Sequence, residues 1–185
     1  MKPTIFLDFD GVIVDSKKSF IDFYNKHYKE KQGYVFADHK KCNKWNFSDV
    51  CPLAIDDIQH IFGQKELFDN LEFFPHAKET IEELSKDYKV VIISIGTYDN
   101  IHHKSMWIKN NLPFVKDSVL LVKTEGDMLG KSIVDMKGGI FIEDVSKNLH
   151  STNADIKIIY GPEYSWNEDW EGLRINDWRT LRNFF

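Results

Sequence analysis

The sequence predicts an α/β fold, a Rossmann-like parallel sheet core with a small helical cap inserted after the first strand. Three observations predict it. Short apolar runs rich in β-branched residues recur at positions 4–9, 90–95, 119–122, 140–142 and 156–160. Each is nearly continuous rather than alternating, as strands read when both faces are covered. Helical periodicity lies between the later runs, and strand–helix–strand alternation implies a parallel sheet with right-handed crossovers. Between the first two runs, residues 16–73 hold no good strand, far more chain than a βα crossover needs.

The first strand carries Ile5, Phe6, Leu7 and Phe9, and among them Asp8 and Asp10. Residues two apart on a strand point the same way, so these carboxylates should project together, with Phe9 packed on the other side. Gly11 permits a tight turn just beyond the carboxyl end of the strand, where open parallel sheets bind ligands. Two acids there repel one another unless a cation or shared proton relieves them. The plainer alternative is solvated acids at a strand terminus, or a helix cap.

The cap, residues 16–73, opens with an aromatic helix (Phe20, Phe23, Tyr24, His27, Tyr28), then a polar stretch and a shorter helix over residues 54–62. The core is expected to comprise residues 1–15 and 74–185. Pro75 starts a helix with Ala77, Ile81, Leu84 and Tyr88 on one face. The next strand reaches Ser94 just before Gly96, so a hydroxyl and turn amides should share the rim. The helix over 100–111 presents Ile101, Met106, Trp107 and Ile108 and stops before Pro113. Its His102 and His103 have no partner three or four residues away to complete a metal site, and read as exposed. The stretch "GDMLGKS", residues 126–132, resembles a nucleotide-binding loop, but its glycine spacing is one residue short and it follows a polar linker. Lys131 within it should start a helix. The strand over 140–142 leads into Glu143 and Asp144, and the last strand into a tail whose Trp166, Trp170 and Trp178 read as packing.

Composition narrows the function. The chain of 185 residues suits one medium domain, or a core with a modest insertion, and its net charge of -5 argues against a general grip on nucleic acid. Two cysteines, Cys42 and Cys51, are too few for a disulfide framework and lack zinc spacing. No apolar run approaches a membrane span, so a cytoplasmic location is expected. Oligomeric state is not legible, and a homodimer stays open.

Acids, hydroxyl, lysine and acids, in that order at successive strand ends, form a specific combination. "DFDGV" is similar to the first motif of the haloacid dehalogenase superfamily of phosphotransferases, and Ser94, Lys131 and Glu143-Asp144 fall where its other three motifs would lie. "FFPHAKETIEELSKDYKVVIISIGTYDN", "WIKNNLPF" and "GKSIVD" before "FIEDVSKNL" resemble the 5′(3′)-deoxyribonucleotidase branch. That branch usually has two aspartates where this chain has Glu143-Asp144, which leaves open which of the two contacts the ion.

The resemblance implies a phosphomonoesterase acting on nucleoside monophosphates. Asp8 would be the nucleophile that forms an aspartyl-phosphate, and Asp10 the general acid and base. Lys131, the Ser94 hydroxyl and the amides of Ile95 and Gly11 would bind phosphate, with Lys104 where the branch carries a second phosphate-facing lysine. Mg²⁺ would be held by Asp8, the Asp10 carbonyl and Glu143 or Asp144. Charge balance requires such a cation: at 4 Å each like-charged pair costs about 4 kcal/mol at an effective dielectric near 20. Phe20 or Tyr24 with Trp45 or Phe47 would wall the base, unless these rings pack the cap's own core. The alternatives are a phosphatase of another small phosphomonoester such as a sugar phosphate, and a catalytically silent metal-dependent binding protein.

Overall fold

The computed structural model describes residues 2–123, 130–182 and 184. Its centre is a six-stranded sheet, every pairing parallel: β1 (Thr4–Asp8), β2 (Lys89–Gly96), β3 (Asp117–Val122), β4 (Ile140–Glu143), β5 (Ile156–Tyr160) and β6 (Leu173–Ile175), in the order β3-β2-β1-β4-β5-β6. This is the expected Rossmann-like α/β class. The chain winds outward from β1 through β2 to β3, then returns to β4 and winds the other way. The switch point therefore lies between β1 and β4, where a crevice opens at the carboxyl ends of the strands.

Parity along the strands explains the continuous apolar runs. Ile5, Leu7, Val90, Ile92, Ile140, Ile142, Ile158 and Tyr160 belong to one buried cluster, whereas Phe6, Val91, Ile93, Phe141 and Ile159 belong to a second. Successive side chains alternate between the two faces, and both faces are covered. The first cluster receives α4 (Ala77–Leu84), α5 (Tyr98–Asn111) and α7 (Trp178–Leu181) through Ile81, Trp107 and Leu181. The second receives α6 (Ser146–Ser151) through Leu149. Trp178 is fully buried and its indole donates to the Val12 carbonyl at 3.0 Å, so this part of the tail does pack as expected.

Between β1 and β2 lie α1 (Ser16–Tyr28), α2 (Ile55–Phe62) and α3 (Lys65–Asp69). The Asp15 side chain caps α1 by accepting from the Lys18 amide at 2.9 Å. This insertion leaves and rejoins the core at one place: Val14 bridges Phe73, the Phe74 amide donates to Ile13 and the Asp15 amide to Glu72. No helix among the described residues is long and apolar enough to cross a membrane.

Two expectations on local structure need adjustment. Lys131 does start a helix, but only the three-residue 3₁₀ helix Lys131–Ile133, and residues 126–129 of the rejected nucleotide loop lie outside the described residues. Strand β2 continues through Gly96, so Ser94 lies within the strand and the turn begins later.

Candidate active site

The end of β1 places Asp8 in register with Ile93 of β2, and the end of β4 brings Glu143 and Asp144 beside it. Carboxylate oxygens of Asp8, Glu143 and Asp144 lie within 4.8 Å of one another. Lys131 reaches into this group, 2.6 Å from Asp8 Oδ1 and 2.5 Å from Glu143 Oε2, and is itself buried. The Phe9 amide donates to the same Asp8 oxygen at 2.7 Å, which fixes the rotation of that carboxylate.

The adjacent acids Glu143 and Asp144 are held differently. Glu143 is fully buried, with Oε2 taken by Lys131 and Oε1 accepting from the amides of Asp144 at 3.2 Å and Val145 at 3.3 Å. Asp144 is bonded at Oδ2 by the Trp166 indole N–H at 3.1 Å. Gly11 faces it: a side chain there would begin 2.5 Å from Asp144 Oδ2, and the residue's φ of +70° favours glycine for a second reason.

Electrostatics follow from burial. Desolvation and then the Glu143 charge hold the Asp8 carboxyl well above the usual carboxylate range, against the pull of Lys131. Glu143 is raised chiefly by burial. Burial and the Asp8 charge push Asp144 up to about 7. Burial works against the Lys131 ammonium, but Asp8 and Glu143 outweigh it and hold it above its ordinary value. Three crowded acids with one lysine carry an excess of negative charge that a hard cation would offset, and an all-oxygen donor set suits Mg²⁺.

Asp10 stands outside the three-acid group: β1 ends at Asp8, the chain bends at Phe9, and Asp10 bridges Val14 before the turn that starts at Gly11. It remains close enough to raise both Asp8 and Asp144. Its carboxylate is paired with Lys104, whose ammonium also donates to the Ser94 hydroxyl at 2.9 Å. Lys104 and Ser94 are almost wholly buried. Two lysine-centred clusters thus flank the end of β1.

Other expected residues fall elsewhere. The Gly11 amide donates to the Val14 carbonyl at 3.0 Å, so it is consumed within the turn rather than presented to a ligand. Ile95 lies inside β2 opposite Leu121. Phe20, Tyr24 and Phe47 are packed into the buried cluster that also holds Ile5 and Leu7 of β1: Phe20 stacks on Phe47 at 4.1 Å and on Phe62 at 5.1 Å, and Tyr24 is 1 % exposed. With their faces covered, none can serve as a stacking wall. Trp45, at 62 % exposure, has a free face. His102 is exposed, as expected, and His103 is half-buried beside Phe68. Trp166, read from the sequence as packing, touches the acid group instead. Its only sequence signal is its place on the segment after β5, at the ligand-binding end of the sheet.

The comparisons with known proteins fit this geometry. Residues 2–185 match the family model described as "5' nucleotidase, deoxy (Pyrimidine), cytosolic type C protein". The chain belongs to this family. Over 178 residues it is 26% identical to a 5'(3')-deoxyribonucleotidase of Clostridium acetobutylicum, covering 96% of this chain and 91% of that one. Among solved structures, a haloacid dehalogenase-like hydrolase from Streptococcus pneumoniae superposes with TM-score 0.67 at 16% identity, covering 100% of this chain and 99% of that one. A protein described as a predicted phosphatase from Clostridium acetobutylicum gives TM-score 0.70 at 13% identity, covering 100% and 98%. Membership of this nucleotidase family, with haloacid dehalogenase-like neighbours, makes the chain a phosphomonoester hydrolase.

Proposed function

We propose that this nucleotidase-family enzyme is a Mg²⁺-dependent 5′(3′)-deoxyribonucleotidase or 5′-nucleotidase, working through an aspartyl-phosphate on Asp8. The observation that carries the reading is the pairing of two acids with two lysines at the end of β1: Asp8 with Lys131, and Asp10 with Lys104. An Asp8 carboxylate oxygen attacks phosphorus as the ester P–O bond breaks, and Asp10 gives its proton to the departing sugar oxygen. Asp10 then takes a proton from the water that attacks the acyl phosphate, which releases inorganic phosphate and restores the Asp8 carboxylate. Lys104, Lys131 and the Ser94 hydroxyl offer donors to the phosphoryl oxygens.

Asp8 and Asp144 would hold the cation, with the Asp10 carbonyl. Glu143 would instead anchor Lys131, since both its oxygens already accept hydrogen bonds. When bound, Mg²⁺ supplies charge neutralisation at the phosphoryl group. Residues 16–73 would act as the cap over the site, where Trp45 and, at the start of α5, the exposed Tyr98 are rings free to meet a base.

Phosphate release from ribo- and deoxynucleoside 5′- and 3′-monophosphates, with Mg²⁺ and with chelator, tests the reading. Metal-dependent preference for deoxynucleotides is expected. Equal slow rates on all of them, beside a faster rate on sugar phosphates, would remove the nucleotide assignment.

A further inference from the structure

We propose that Trp166 is a positioning residue for the divalent cation: its indole N–H holds Asp144 in the rotation needed to share a cation with Asp8. The inference rests on the metal-dependent reading above.

The segment between β5 and β6 is built to present this group. Asn167 is fully buried; its side-chain amide donates to the Asp144 carbonyl at 2.9 Å, and its Oδ1 accepts from the Tyr164 amide at 3.0 Å and Arg174 at 3.2 Å. The Trp166 carbonyl accepts from both the amide and the hydroxyl of Ser146, at 3.2 and 3.1 Å. The Asp144 carbonyl and Ser146 are thereby tied to Asn167 and to the Trp166 carbonyl. The indole lies flat on Tyr164, with centroids 4.4 Å apart and planes at 16°. Tyr164 in turn carries Lys17 of α1, 2.8 Å from its hydroxyl and 4.0 Å above its ring. Backbone and ring face are both fixed, and the N–H meets Asp144 Oδ2 at 3.1 Å.

The kind of donor matters. A carboxylate turns freely about its last torsion, so an unheld Asp144 would sample orientations that do not face Asp8. Lys131 orients Glu143 with an ammonium, a positive partner it shares with Asp8. A neutral indole orients Asp144 without adding positive charge, so the site's excess negative charge is left for a cation. Of two neighbouring acids, one is ion-paired and the other is aimed.

The test is Mg²⁺ binding to the full chain without substrate, by titration calorimetry and by the accompanying change in tryptophan fluorescence. Trp166→Phe keeps a ring on Tyr164 and removes only the donor. We expect it to bind Mg²⁺ roughly 10- to 100-fold more weakly, the range for lost partners of metal ligands. Excess Mg²⁺ should restore kcat, a rescue that a merely structural defect would not show. Trp170→Phe, whose indole meets the Leu173 carbonyl, should bind Mg²⁺ as the wild type does. If Trp166→Phe does not fold, Tyr164→Leu must weaken Mg²⁺ in the same direction by freeing the indole to turn. Affinity within twofold of wild type in the folded variant overturns the inference and leaves the phosphatase reading standing. A wild-type chain that binds no Mg²⁺ overturns both.

Discussion

At the scale of residues, the site is a problem in crowded charge. Asp8→Asn removes the proposed nucleophile and also one of three mutually repelling acids, while Lys131 keeps Glu143 as its partner. We expect phosphate release to fall by at least about 10³-fold, as for other lost nucleophiles, with no loss in melting temperature. Near-full activity would end the case for covalent catalysis by Asp8. Lys131→Met is the opposite experiment. It strands the fully buried Glu143 with no compensating cation, and removing one partner of a buried pair costs about 3–5 kcal/mol. Denaturant unfolding reads that loss, and Glu143→Gln added to Lys131→Met should recover much of it. The acids and lysines themselves were legible, since a charge at the end of an apolar strand is conspicuous. Their partnerships were not: Lys131 meets Glu143 twelve residues away, and Trp166 meets Asp144 across twenty-two. Only the folded sheet brings such positions together.

At the scale of elements, the central strands announced themselves because both faces demand apolar side chains, so Ile140, Phe141 and Ile142 read as one run. β6 did not, because three residues, Leu173-Arg174-Ile175, are too few to show a period, and α3 and α7 are hidden for the same reason. Aromatic stripes were ambiguous in another way. Phe20 and Phe47 have the composition of a base-binding wall, but stacking on each other and on Phe62 covers the faces a ligand would use. The insertion's thiols give an independent check on its packing. Burial and then Asp49 push Cys42 up to about 11, and burial and then Cys42 do the same for Cys51. A raised thiol pKa means less thiolate at a given pH. Alkylation of the native protein at pH 8 should therefore be roughly 100-fold slower than for an ordinary thiol, rising about tenfold per pH unit towards pH 10. Rapid reaction at pH 8, followed by mass spectrometry, would show the insertion to be open.

At the scale of the whole molecule, the proposed metal would be linked to the fold. A cation that binds the native site and not the unfolded chain stabilises the native state, by about 2.7 kcal/mol at a hundred times its dissociation constant. For a chain of this size that is about 5–10 °C in Tm. Mg²⁺ should raise the melting temperature of the wild type, chelator should reverse it, and Asp144→Asn should abolish the shift.

The stem at Val14 and Phe73 carries a consequence of its own. The excursion that starts at Ser16 departs and lands on hydrogen-bonded neighbours, and it leans on the rest of the fold at few polar points, among them those where Asn100 donates to the Phe62 carbonyl and Lys17 meets Tyr164. Grafting a relative's segment between these two points should reprogram which ester is accepted, and a graft that keeps Lys17 and the Phe62 carbonyl should leave the chemistry at β1 and β4 running beneath it.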